Sequence, residues 1–305
     1  MKRLQPIFCF ALLGLIAFAA SSQLPAPPAG ELPGDPVAGG RLYDNWMLAL
    51  DLQAPEGNQP LWDGFEGSPI EGPGTWLCVT CHAWDYKGAE GAYGPASPFY
   101  TGFSGLQGAI GADQDRVLSW LDGGINEEHS FTQYFGATAA NDLAAFLRTR
   151  QVDLDLMIDR ETGRALGNDG AGEALYFAQC AECHGNTGRG MSFSTGAVET
   201  YLGDVAIVDP WRTVHKMRFG LPTGNMPSTE EMGWSLARVA DLLAYLQTMP
   251  RGNLGLPLAQ GEAAGEGDLE NQGDILPVVR LGLLIAAMIL LPLAWDTYSQ
   301  RRPQS

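Results

Sequence analysis

The sequence predicts an all-α protein, two repeated helical units followed by one C-terminal transmembrane helix. Three observations lead there. The pentapeptide Cys-x-x-Cys-His occurs twice, as Cys78-Val79-Thr80-Cys81-His82 and Cys180-Ala181-Glu182-Cys183-His184. Near the end of each unit, Asn141-Asp142-Leu143-Ala144-Ala145-Phe146-Leu147 and Ala240-Asp241-Leu242-Leu243-Ala244-Tyr245-Leu246 carry apolar residues at i, i+3 and i+4, the period of an amphipathic helix. Ile275 to Trp295 is a mainly apolar run of 21 residues, long enough to cross a bilayer as a helix.

The chain starts with Lys2-Arg3, an apolar run from Ile7 to Ala20, then small residues and a Pro-rich stretch. That order is expected of a secretory signal peptide over residues 1–23, with an uncleaved anchor as the alternative. The first unit is expected over 35–150. It opens on a helix containing Gly39-Gly40-Arg41-Leu42-Tyr43, which matches Gly172-Glu173-Ala174-Leu175-Tyr176 at an offset of 133. The two pentapeptides are offset by 102 and the final helices by 99, so the first unit holds about 31 extra residues ahead of Cys78. That insert, Leu52 to Thr75, is rich in Gly and Pro and reads as a long loop. Residues 151–170 contain Asp-Arg-Glu-Thr-Gly, a turn signal, and are expected to link the units. The second unit is expected over 171–250, followed by an acidic Gly-rich linker at 251–274.

The pentapeptide carries the chemistry. On a helix, a Cys, a second Cys at i+3 and a His at i+4 share one face. Two sulfurs can then bond covalently to a porphyrin edge while the imidazole ligates its iron from below, which makes this the attachment signature of a c-type haem. Two copies imply two covalently bound haem c groups, attached through Cys78, Cys81, Cys180 and Cys183, with His82 and His184 as proximal ligands. Of the five cysteines only Cys9 is left over, in the N-terminal apolar run, so no disulfide framework is called for. Structural zinc is the competing use of paired Cys-x-x-Cys elements, at a usual separation of about 15–20 residues. Here 98 residues separate Cys81 from Cys180, and both motifs carry the trailing His.

With an N-terminal helix, the haem motif, a loop-rich middle and a C-terminal helix, each unit resembles a class I cytochrome c domain. The resemblance covers about 35–150 and 165–250. It implies two tandem cytochrome c domains and a distal methionine in the loop before the last helix. In the second unit that loop is Gly220-Leu221-Pro222-Thr223-Gly224-Asn225-Met226-Pro227, so the resemblance makes Met226 the sixth ligand, with Met191, Met217 and Met232 as weaker competitors. His215, on the preceding stretch, is expected to be a surface or packing histidine. The first unit departs from the pattern, since no methionine lies between His82 and Arg150. Its matching loop, Gly123 to Phe131, offers His129, offset from Met226 by 97, close to the offset of the helices. Ligation by His82 and His129 is therefore expected, with Met157, Met47 or an open iron as the alternatives. Trp84 and Tyr86 are expected mainly as core packing, with contact to the porphyrin as the alternative. Tyr93, Phe99, Tyr100 and Phe103 are expected in a loop closing over the first haem.

Arg280 at one end of the apolar run, and Trp295 and Tyr298 at the other, suit the two membrane interfaces. Acidic residues precede the run and Arg301-Arg302 follow it, which places the tail 296–305 in the cytoplasm and the haem units on the periplasmic side of a bacterial inner membrane. The formal net charge of −17 argues against nucleic acid and for docking with basic patches on partners. The expected function is single-electron relay between redox protein partners, among them a membrane complex, by a protein held in the lipid bilayer through its C-terminal helix. The competing reading is a dihaem oxidoreductase, a peroxidase or a sulfur-compound oxidising enzyme, which needs an open iron or, for the sulfur case, a cysteine ligand. No cysteine remains for that role once the haems are attached and the expected signal peptide, which carries Cys9, is removed.

Overall fold

The first helix, α1 (Pro36–Leu50), starts where Asp35 accepts hydrogen bonds from the amides of Val37 and Ala38, with proline at its first position. The computed structural model describes residues 34–64, 70–97, 99–194 and 199–252. The first unit continues with α2 (Cys78–His82), α3 (Gln114–Leu121) and α4 (Thr132–Thr149). The second holds α5 (Asp169–Gln179), α6 (Ala181–His184), α7 (Leu202–Val208), α8 (Pro210–Phe219) and α9 (Leu236–Leu246). Among the described residues the regular structure is helical, with isolated β-bridges only.

The units repeat in space as they do in sequence. α1 crosses α4 and α5 crosses α9 as the main contact of each unit. Both crossings are close because a glycine sits at the contact. A Cβ at Gly39 would collide with the Asp142 carbonyl, and one at Gly172 with the Asp241 carbonyl. The aspartates at the crossings act alike. Asp142 accepts from the amide of Asp35 at 2.7 Å, and Asp241 from the amide of Asn168 at 2.7 Å, so each clamps the N-cap of the helix it crosses.

Segment 151–170, expected as a connection, is tied to both units. Leu154 and Ile158 are fully buried. Arg160 pairs with the buried Asp85 at 2.8 Å and with Asp155 at 2.6 Å, and Lys87 meets Asp153 and Asp155 at 2.7 Å each. From α9, Gln247 donates to the Gly163 carbonyl at 2.8 Å and accepts from the Ala165 amide at 2.9 Å.

The units meet where α8 lies against α1. His215, expected as a surface or packing residue, is fully buried there. Its Nε2 donates to the Gly40 carbonyl at 2.9 Å, so Nδ1 is left to accept from the Tyr86 hydroxyl at 2.8 Å. Lys216 pairs with the buried Asp44 at 2.7 Å, and Arg41 donates to the Phe219 carbonyl at 2.8 Å. Phe219 occupies space that a side chain at position 40 would need. In the repeat alignment, Gly40 and Arg41 stand where the second unit has Glu173 and Ala174, both exposed. The first copy of the helix is thus built to receive α8.

No helix among the described residues is long and apolar enough to cross a membrane. The expected signal peptide, the linker beyond Gly252 and the expected span Ile275 to Trp295 lie outside the described residues.

Burial pushes His215 down to about 3, and the nearby Lys216 and Arg218 charges act in the same direction. It is therefore neutral in the fold but titrates near 6.5 when unfolded. Its contribution to stability is complete above about pH 6.5 and is lost as the pH falls toward 3, with a slope of at most about 1.4 kcal/mol per pH unit. Chemical denaturation of the haem-loaded protein should show that slope, flattened in His215→Gln. Lys216→Met, which removes the cationic partner at 2.7 Å from buried Asp44, should cost on the order of 3 kcal/mol in the same assay, largely recovered by Asp44→Asn in the double variant.

Candidate functional site

Each pentapeptide folds as a short helix that stops abruptly. α2 ends at Ala83, with φ 62° and ψ 165°, and α6 ends at Gly185, with φ 73° and ψ 161°. In both units the carbonyl of this stop residue is held by the matching tyrosine of the first helix. Tyr43 donates to Ala83 at 2.5 Å and Tyr176 donates to Gly185 at 2.5 Å. In each unit the tyrosine ties the end of the motif helix to the first helix. Glycine takes this conformation freely, whereas Ala83 holds it under strain of about 1–3 kcal/mol.

The first unit gathers Cys78, Cys81, His82 and His129 around one pocket. Apolar side chains make most of the remaining wall, among them Phe103, Leu121, Phe131, Leu143 and Leu147. The His82 and His129 rings have centroids 6.3 Å apart and planes at 77°. His82 donates from Nδ1 to the Ser104 carbonyl at 3.0 Å, and His129 donates from Nδ1 to the Trp120 carbonyl at 2.7 Å. Both bonds fix the tautomer and leave Nε2 as the free nitrogen, the usual arrangement for a metal-binding histidine.

The donor set fits a haem iron. Two imidazoles binding one metal from opposite sides, at about 2.0–2.1 Å per bond and with about 1.15 Å from nitrogen to ring centre, have centroids about 6.3 Å apart. Burial lowers His82 to about 4, helped by the neighbouring His129, and burial also lowers His129. Both rings are thus neutral at physiological pH, the form that ligates a metal. Burial raises Cys78 and Cys81 to about 12 and Cys180 to about 11. Zinc needs thiolates and a closed set of four ligands. Among the described residues no group of three or more His, Cys, Asp and Glu is placed to hold a metal ion.

In the second unit Cys180 caps α6 while Cys183 and His184 lie on it. His184 Nδ1 is buried without a hydrogen-bond partner, and burial lowers the ring's pKa. Met226 stands in the loop after α8, half-buried and packed against the core. Met191 and Met232 are exposed, and Met217 is buried on α8. Met47 and Met157 are buried in the core and do not line the first pocket.

Of the aromatic loop, Phe103 lines the pocket while Tyr93 packs on Phe99 and Tyr100 is exposed. Trp84 and Tyr86 pack at the seam between units, against His215, instead of lining the pocket. Sequence reasoning missed the residues that orient the histidines. Ser104 and Trp120 act through backbone carbonyls, which leave no trace in residue type. Tyr43 and Tyr176 were signalled by their shared place in the repeat.

Residues 167–246 match the family model described as Cytochrome C oxidase, cbb3-type, subunit III. No curated protein and no solved structure matches the chain. The matched span is a cytochrome c domain, which supports covalently bound haem c and electron transfer with redox partners.

The strained stop residue gives a paired test. Ala83→Gly should raise the stability of the haem-loaded protein by about 1 kcal/mol, as relief of strain outweighs the added freedom of the unfolded chain. Gly185→Ala should lower it by about 1–3 kcal/mol. Thermal melts of the two variants read both signs.

Proposed function

We propose that the chain is a membrane-anchored dihaem c-type cytochrome that relays single electrons between redox proteins at the periplasmic face of a bacterial inner membrane. The observation that carries the reading is the pairing of His82 with His129 over the first Cys-x-x-Cys-His motif, in a unit that shares its helix crossing and tyrosine lock with the matched cytochrome c domain. Cys78 and Cys81 would attach one haem and Cys180 and Cys183 the other. Axial ligands would be His82 with His129 in the first unit and His184 with Met226 in the second. Bound haem supplies the one-electron chemistry. The chain supplies ligands, burial and docking.

With both irons six-coordinate, neither offers a substrate position, which favours a relay over catalysis on iron. A thioether ligand favours the ferrous state, so the first haem would have the lower potential and receive electrons first. The buried seam through α8 holds the two units in one compact body, suiting passage between them. A net charge of −17 favours partners with basic docking surfaces. The matched family is named for a cytochrome c oxidase subunit, which supports partners in a respiratory chain. The apolar run Ile275 to Trp295 would hold the protein beside a membrane partner and raise its effective concentration there.

Low-temperature EPR and near-infrared magnetic circular dichroism of the oxidised protein test this reading. One bis-histidine and one His/Met low-spin signal are expected, the first lost in His129→Ala and the second in Met226→Ala. Potentiometry should place the bis-histidine haem lower. A high-spin signal in the wild type would mean an open iron and would favour the oxidoreductase reading.

A further inference from the structure

The 52–75 insert has no counterpart in the second unit, and the ligand readings of the two units differ in the same way. Histidine stands at the distal position where the insert is present, and methionine where it is absent. The structure connects the two features through Gln59. Its side chain is 3% exposed, lines the pocket, and donates from Nε2 to the carbonyl of Glu128 at 2.6 Å. The Glu128 carbonyl is one peptide before His129. Gln59 is itself fixed at three points. Its Oε1 accepts from the Leu61 amide at 2.7 Å, its own amide donates to Thr75 Oγ1 at 2.9 Å, and its carbonyl accepts from the Trp62 amide at 2.8 Å. Thr75, 1% exposed, donates in turn to the Gly72 carbonyl at 2.7 Å.

The turn that Gln59 holds needs an outside anchor. Glu127–His129 is a single 3-10 turn with no buried residue, closed at its start by the Asn126 side chain accepting from Glu128. Runs this short have poor internal hydrogen bonding. The Trp120 carbonyl orients the His129 ring. The residues that follow are held to α3, by Ser130 Oγ on the Asp122 carbonyl at 3.1 Å and the Phe131 amide on the Leu121 carbonyl at 2.7 Å, and the Gln59 bond ties the turn itself to the insert.

We propose that the insert is a strap for the distal histidine, with Gln59 the positioning residue that seats His129 and keeps the sixth position of the first haem closed. This rests on the reading of His129 as an iron ligand. The strap acts through the backbone and touches neither iron nor substrate.

The test uses the full-length, haem-loaded protein and three variants, Gln59→Ala, Gln59→Met and His129→Ala. EPR of the oxidised form and carbon monoxide binding to the reduced form are the readouts. Losing one hydrogen bond to this part-buried carbonyl should open the His129 bond about tenfold more often, a shift of about 1.4 kcal/mol. Both Gln59 variants should therefore bind carbon monoxide at the first haem about tenfold faster and show a new high-spin fraction, while the His184/Met226 signal stays unchanged. A merely structural role would not move one haem's spin state and spare the other. Wild-type spectra and rates in both Gln59 variants would overturn the strap. So would loss of the first haem altogether in both, which would assign Gln59 to folding of the unit. If His129→Ala retains the bis-histidine signal, the ligand reading fails, and the strap with it. If His129→Ala loses that signal and the Gln59 variants do not, the strap alone fails.

Discussion

Each haem-motif helix is short, and a helix of four or five residues cannot hold its own direction. The rest of the structure depends on the hydrogen bond that does this, from a buried tyrosine to the carbonyl that ends the motif. For Tyr43 and Tyr176 to reach those carbonyls, the first helix of each unit must sit at a fixed depth. The crossings at Gly39 and Gly172 set that depth, since a larger residue would push α1 off α4 and α5 off α9. The clamps from Asp142 and Asp241 then set the axial position. Glycine, aspartate and tyrosine form one chain of constraint in each unit, and it ends at the histidine beside the pocket.

The same helix that orients the first motif also receives the second unit. Tyr43 looks inward to Ala83, while Gly40, Arg41 and Asp44 face α8. Burying a lysine–aspartate pair and a histidine between two units contributes little net stability compared with apolar packing of the same shape. What such groups do is penalise any arrangement that leaves them unpaired. A seam of this kind suits a protein whose two halves must keep one relative geometry more than one whose halves dock and part.

Much of this was legible in the sequence, and the illegible parts have a common cause. The repeat, the motif helices, the final helices and a place for His129 beside His82 all follow from residue type and spacing. The burial of His215 did not, because its partners are Tyr86 and the carbonyl of Gly40, far away in the chain. Sequence periodicity reports which face of a helix is apolar, and α8 buries polar residues on a face that reads as exposed. The insert looked like a loop from its glycines and prolines. Its tie to the turn before His129 lies in one glutamine amide and one backbone carbonyl, and composition weighs neither. The 151–170 segment reads as a connection, since its turn residues say nothing of Arg160 reaching Asp85.

The differences between the units point one way. The first has an insert tied to the turn before His129, a histidine beside His82 and a face that receives α8, and it tolerates a strained alanine where the second has glycine. Each change makes its surroundings more rigid or more enclosed. The second unit keeps its candidate ligand on a half-buried loop, with Cys183 exposed and α5 open on the face that corresponds to the seam. In an electron relay, access to a cofactor edge sets which end meets a partner, and burial slows exchange with solvent and stray oxidants. On those grounds the second unit would be the end of the proposed relay that exchanges electrons with soluble partners. The first, walled by the insert and backed by α8, is the guarded end, where a lower-potential iron would be protected from adventitious oxidation.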